Sequence, residues 1–96
     1  MRTYQELNQN EIRDIKLSLT DEDGTSFAPS ACTYTIDNSA GTTVITSTNA
    51  TISTNTVTAS IGTTITAIED SYKLTWIIKK SGSTYYHITD IQVVSI

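Results

Sequence analysis

The sequence predicts an all-β protein, a seven-stranded antiparallel β-sandwich preceded by a short N-terminal arm. Three observations carry that prediction. Apolar and polar residues alternate with period two through most of the 96-residue chain. Turn-forming residues recur roughly every 8 to 12 positions. The chain contains 19 threonines and 11 serines, and the β-branched, water-tolerant threonine suits the outer face of a sheet.

Residues 1–11, MRTYQELNQNE, lack the alternation and read as a polar N-terminal arm. Thr3-Tyr4-Gln5-Glu6 has capping-box spacing, so one short helical turn is the alternative there. The sandwich is expected over 12–96. Its first strand puts Ile15, Leu17 and Leu19 on one parity and Lys16, Ser18 and Thr20 on the other. A second strand sets Cys32, Tyr34 and Ile36 against Thr33, Thr35 and Asp37, and Asn38-Ser39-Ala40-Gly41 then supplies a turn.

Three strand-length segments follow at 42–46, 49–53 and 56–61. Ala50 and Ile52 face inward on the middle one, and Val57, Ala59 and Ile61 on the last. The stretch GTTITAIEDS, 62–71, breaks the rhythm and has room for one helical turn. The strongest strand then alternates Tyr72, Leu74, Trp76 and Ile78 with Lys73, Thr75, Ile77 and Lys79, and a final strand over 84–94 closes a hairpin with it at Ser81-Gly82.

That hairpin admits two registers. A two-residue turn pairs Ile78 with Tyr85, Trp76 with His87 and Leu74 with Thr89, leaving Ile91 and Val93 in phase. A longer turn puts Tyr86 and Ile88 inside and needs a bulge near Asp90. The more apolar core favours the bulged register, with His87 at the surface.

Composition narrows the function classes. Net charge is −4, and the six basic residues are dispersed apart from Lys79-Lys80, so no basic stripe for nucleic acid is formed. No apolar run of about 18 residues offers a membrane span. The polar start has none of the character of a signal peptide, which implies synthesis in the cytosol. Cys32 is the one cysteine, so no internal disulfide forms and the core must supply stability.

Chemical motifs are few. Asp21-Glu22-Asp23-Gly24 resembles part of a calcium loop, but with Gly24 at loop position 6 the first ligand position falls on Leu19 and the last on Ser30. It reads as a turn, in which glycine supplies positive φ and Asp bonds its own backbone. His87 is the one histidine, so no multi-histidine zinc site is available. Cys32 with His87 lacks a predicted orienting group or oxyanion site, and reads as a buried thiol. Glu69, Asp70 and Asp14 read as solvated turn acids rather than a glycosidase pair. The triplet Asn49-Ala50-Thr51 is taken as a chance match to a glycosylation site. No catalytic residue, metal ligand or cofactor is therefore expected. Tyr85 and Tyr86 are adjacent, so one ring points out, and with Ile77 on the neighbouring strand it makes a candidate interaction patch.

EDSYKL, 69–74, resembles the corner entering the penultimate strand of immunoglobulin-like domains. The resemblance assigns Tyr72 the corner role, with its hydroxyl bonded to upstream backbone. It also sets Leu74 and Cys32 where antibody domains carry their disulfide. Trp76 departs from the pattern by lying on the penultimate strand. More broadly, IKLSLTDEDGTSF, GTTVI and YKLTWIIKKSGSTYYHITDIQV resemble small immunoglobulin-like domains of tailed-bacteriophage virion proteins, such as the amino-terminal domain of baseplate upper proteins and head or head-to-tail accessory proteins.

That resemblance implies a non-enzymatic structural part, made in the bacterial cytoplasm and built into the virion in repeated copies. Capsid, connector or tail subunits would be its partners, with self-association also open and neither nucleic acid nor membrane involved. The arm would lie on a neighbouring subunit, so Tyr4 and Leu7, with Ile77 and Tyr85, are the candidate interface residues. The rival expectation is a carbohydrate- or surface-binding module of an adhesin or tail protein, stacking ligands on Trp76 or the Tyr85-Tyr86 pair.

Overall fold

The structure, a computed structural model, describes residues 2–21 and 23–95. It is all-β with one short helix, in two sheets that enclose a common core. The elements are β1 (Arg2–Asn8), β2 (Arg13–Ser18), β3 (Ala31–Asp37), β4 (Thr43–Asn49), β5 (Thr51–Ser53), β6 (Thr56–Ile61), α1 (Thr63–Thr66), β7 (Ser71–Lys80) and β8 (Ser83–Val94). A five-stranded sheet runs β1-β8-β7-β3-β4, and a three-stranded sheet runs β2-β6-β5.

Period-two patterning builds both inner faces. Tyr72, Leu74, Trp76 and Ile78 of β7 are all buried, and so are Cys32, Tyr34 and Ile36 of β3 opposite Ile78, Trp76 and Leu74. Ile15 of β2 and Val57, Ala59 and Ile61 of β6 close the core from the other sheet. Trp76 is fully buried at the centre and packs on Tyr34 with ring centroids 5.9 Å apart. Full burial of each such side chain is worth about 1.5–3 kcal/mol, so the stability of this chain resides in these central strands.

The N-terminal segment corrects the sequence-based expectation. Residues 2–8 form neither an arm nor a helical turn but strand β1, paired parallel to β8 from Arg2 opposite Ile88 to Asn8 opposite Val94. The described strands therefore number eight, one more than predicted, and the pairing is not wholly antiparallel. Leu7 is 1% exposed and anchors β1 in the core. The inward positions before it are polar, Thr3 and Gln5, so the alternation carried no apolar signal. Met1 and Ile96, which belong to the predicted arm and sandwich, lie outside the described residues.

The terminal hairpin takes the two-residue register. Ile78 pairs with Tyr85, Trp76 with His87 and Leu74 with Thr89, without a bulge. Ser81 and Gly82 have φ of 47° and 84°, both positive as a type I′ turn requires, and that turn matches the strand twist. Turn geometry thus outweighs the more apolar alternative: Tyr86 is exposed, Ile88 only half-buried, and His87 lies inside. On β5, Ile52 is 40% exposed rather than inward, because this three-residue strand lies at the margin of its sheet.

The cysteine assignment also changes. Cys32 lies on β3, in the same sheet as β7 and opposite Ile78, so it does not face Leu74 across the sandwich. Leu74 is instead opposite Ile36. Tyr72 is buried at the start of β7, as its place in the apolar alternation predicts. Among the described residues its hydroxyl makes no hydrogen bond to upstream backbone.

Candidate interaction surface

The two turns closed by an Asx residue and a glycine explain where the acidic motif goes. In Asp21-Glu22-Asp23-Gly24-Thr25, the Asp21 carboxylate accepts the Asp23 and Thr25 N–H groups, each at 3.0 Å. The Gly24 N–H donates to the Asp21 carbonyl, and the Asp21 N–H to the Thr25 carbonyl. Asn38-Ser39-Ala40-Gly41-Thr42 repeats the pattern bond for bond, with the Asn38 side-chain oxygen accepting from Ala40 and Thr42 at 3.0 and 2.9 Å. Gly24 and Gly41 have φ of 80° and 84°. A neutral amide does in one turn what the carboxylate does in the other, so the geometry needs an oxygen acceptor and no charge. Glu22 lies outside the described residues.

A short chain of polar groups runs from the buried Trp76 to the exposed Thr3 and back to the buried His87. Trp76 Nε1–H donates to Thr89 Oγ1 at 3.0 Å, Thr89 lies 2.7 Å from Thr3 Oγ1, and Thr3 lies 3.2 Å from His87 Nε2. Only the indole donor is fixed by its chemistry: either threonine hydroxyl can donate to the other, and the neutral imidazole of His87 can accept from Thr3 or donate to it through Nε2. Burial moves the His87 pKa below its usual value, which favours that form. The chain ties β1 to β7 and β8. Outside this polar chain, burial pushes the Cys32 thiol up to about 11, which keeps it protonated at neutral pH.

The candidate interface residues separate. Leu7 is core and unavailable to a partner, whereas Tyr4 is 63% exposed on the outer face of the five-stranded sheet. There Arg2 makes a paired contact to the Asp90 carboxylate, at 2.9 and 2.6 Å, which raises the arginine pKa and lowers that of the acid. Ile77 is half-buried and faces outward, but its cross-strand neighbour is Tyr86, not Tyr85. The outward patch is therefore Tyr86 with Ile77 and Ile88, a group that becomes visible only once the hairpin register is known.

Tyr85 has a different setting. Its parity is that of Ile78 and His87, and with them it lines a cleft of about 350 Å³ at the hairpin end of the molecule. The opposite wall is Leu17, Leu19 and Phe27, and Lys80 lies over the Phe27 ring with Nζ 4.5 Å from its centroid. No local pattern marks this cleft, because it depends on the described pairing of β1 with β8 beginning at Ile88 and on Asp21 and Phe27, beyond β2, lying against the hairpin. Among the described residues, no group of three or more His, Cys, Asp or Glu side chains is placed to hold a metal ion. Comparison with family models, with curated proteins and with solved structures finds no match to this chain.

Proposed function

We propose that this chain is a non-enzymatic, immunoglobulin-like structural module of a tailed-bacteriophage virion that decorates or joins capsid, neck or tail components. The observation that carries the reading is strand order. With β2 to β8 in the places of strands B, C, C′, D, E, F and G, the sheets read G-F-C-C′ and B-E-D, with β1 beside the last strand. This grouping supports an immunoglobulin-like reading with a C′ strand; it departs from the variable type in having no C″ strand among the described residues and in placing the first strand on the G edge. The virion role rests on the resemblance of IKLSLTDEDGTSF and of the β7–β8 hairpin. Because β1 belongs to the sheet, the assembly surface lies not in an arm but on the outer face around Tyr4, Ile77, Tyr86 and Ile88.

Mass spectrometry of particles purified from a producing culture tests this. The chain should appear at a constant ratio to the major particle proteins, and a chain confined to the unassembled fraction would sink the proposal. A carbohydrate- or surface-binding role is the second reading, favoured by the exposed Tyr86 ring. Trp76 cannot serve it, being fully buried.

A further inference from the structure

We infer that residues 83–87 of β8, together with the cleft beneath them, form an acceptor site for an extended polypeptide segment of a partner. Parity shows which backbone groups are offered. The Val93 N–H donates to Asp70 on the β7 side, whereas the Val94 carbonyl accepts from Gln9 on the β1 side. Odd-numbered residues of β8 thus turn their peptide groups to β7, and even-numbered ones turn away from it. At the hairpin end the even residues are Thr84 and Tyr86. Among the described residues β1 pairs only from Ile88 onward, and none of them bonds the N–H and C=O groups that Thr84 and Tyr86 turn to this edge.

Donors and acceptors repeating every second residue along an edge are matched by one chemistry, another extended peptide backbone. The same edge already takes such a strand a few residues further on. β1 lies there in parallel and buries Leu7 on the inward face. A segment in line with β1 would continue that ladder and drop its inward side chain into the cleft between Tyr85 and the wall of Leu17, Leu19 and Phe27. The partner segment is therefore extended, free of proline at its hydrogen-bonding positions and apolar at the residue that enters the cleft. The outer edge of β4 is also open, but its residues line no part of this cleft. The inference rests on the assembly reading only for the source of the segment, another particle subunit.

The isolated chain suffices for the test. The probe is an acetylated heptapeptide alternating threonine with valine around a central phenylalanine, titrated while backbone amides are followed by NMR. Saturable shifts centred on Thr84 and Tyr86, with slowed exchange of both amides, are expected. Tyr86→Pro removes an outward N–H and no β7 hydrogen bond, as edge positions tolerate, and should weaken binding about tenfold. Leu17→Ala, which cuts back the apolar wall facing the inward side chain, should weaken it severalfold. Undiminished affinity in Tyr86→Pro, or no shift at any peptide concentration, would overturn the site; the assembly reading is judged separately, by whether the parent chain is found in particles. A concentration-dependent dimer abolished by Tyr86→Pro would assign the edge to a second copy and overturn the choice of occupant.

Discussion

The two halves of β8 share one strand and one parity, yet differ in almost every physical respect. Residues 88–94 lie between β1 and β7, and their inward side chains Thr89, Ile91 and Val93 are 2% exposed or less. Among the described residues, 83–87 pair with β7 alone, and inward Tyr85 is 50% exposed beside a cleft. What separates them is where a neighbouring strand begins. Residue type follows the same division beyond the junction residue Thr89, with aliphatic Ile91 and Val93 inward in the enclosed half and tyrosine and histidine, which carry a polar end, in the other.

The largest expected effect tests this contrast directly. Ile91→Ala should lower unfolding free energy by about 2–4 kcal/mol, while Tyr85→Ala should cost under about 1 kcal/mol. Urea melts of both variants measure it, and equal losses would break the comparison. At the junction of the halves, Thr3→Val removes the hydroxyl between Thr89 and His87. A loss of about 1 kcal/mol or less is expected, since Thr3 is partly open to water that can replace it. No loss in Thr3→Val, in the same melts, would leave Leu7 as the main tie between β1 and the sheet.

The smallest effect concerns pH. Burial depresses the His87 pKa in the folded chain below its usual 6.5, so the unfolded chain takes up a proton first as pH falls. Stability from the neutral imidazole is full above about 6.5 and declines below it until the folded-state group also protonates. Asp90, Asp70 and Glu11 likewise have lowered values, Asp90 through Arg2, Asp70 through Ser39 and Glu11 through the Asn8 N–H. Their contributions hold above about pH 4 and are lost below it, with little weight at exposed positions. Urea midpoints from pH 8 to 5 should fall for the parent chain and stay flatter for His87→Gln.

Where one face of a strand is apolar, the sequence was legible to the residue. β3, β6 and β7 bury the side chains their alternation indicates. β1 was not legible because its inward residues before Leu7 are polar and its partner lies more than eighty positions away, out of reach of any local pattern. The hairpin register came down to a contest between a more apolar core and a two-residue turn. The turn prevailed because Ser81-Gly82 closes with both residues at positive φ, and the resulting buried His87 is accommodated by Thr3. The outer patch and the cleft both followed from that register, so neither could be read before it. The acidic turn was legible in its turn chemistry, since an Asx acceptor with glycine three residues later names its own hydrogen bonds.

Cys32 carries a practical corollary. With its thiol inside the sandwich and its pKa pushed up to about 11, almost none of it is thiolate at neutral pH, and reagents that seek thiolates find no target on the folded chain. A second cysteine placed on an exposed strand, as in Ser53→Cys, would be the sole addressable handle for a dye or spin label. The native protein thus provides a silent chemical background for measuring distances to any partner that the proposed virion role supplies.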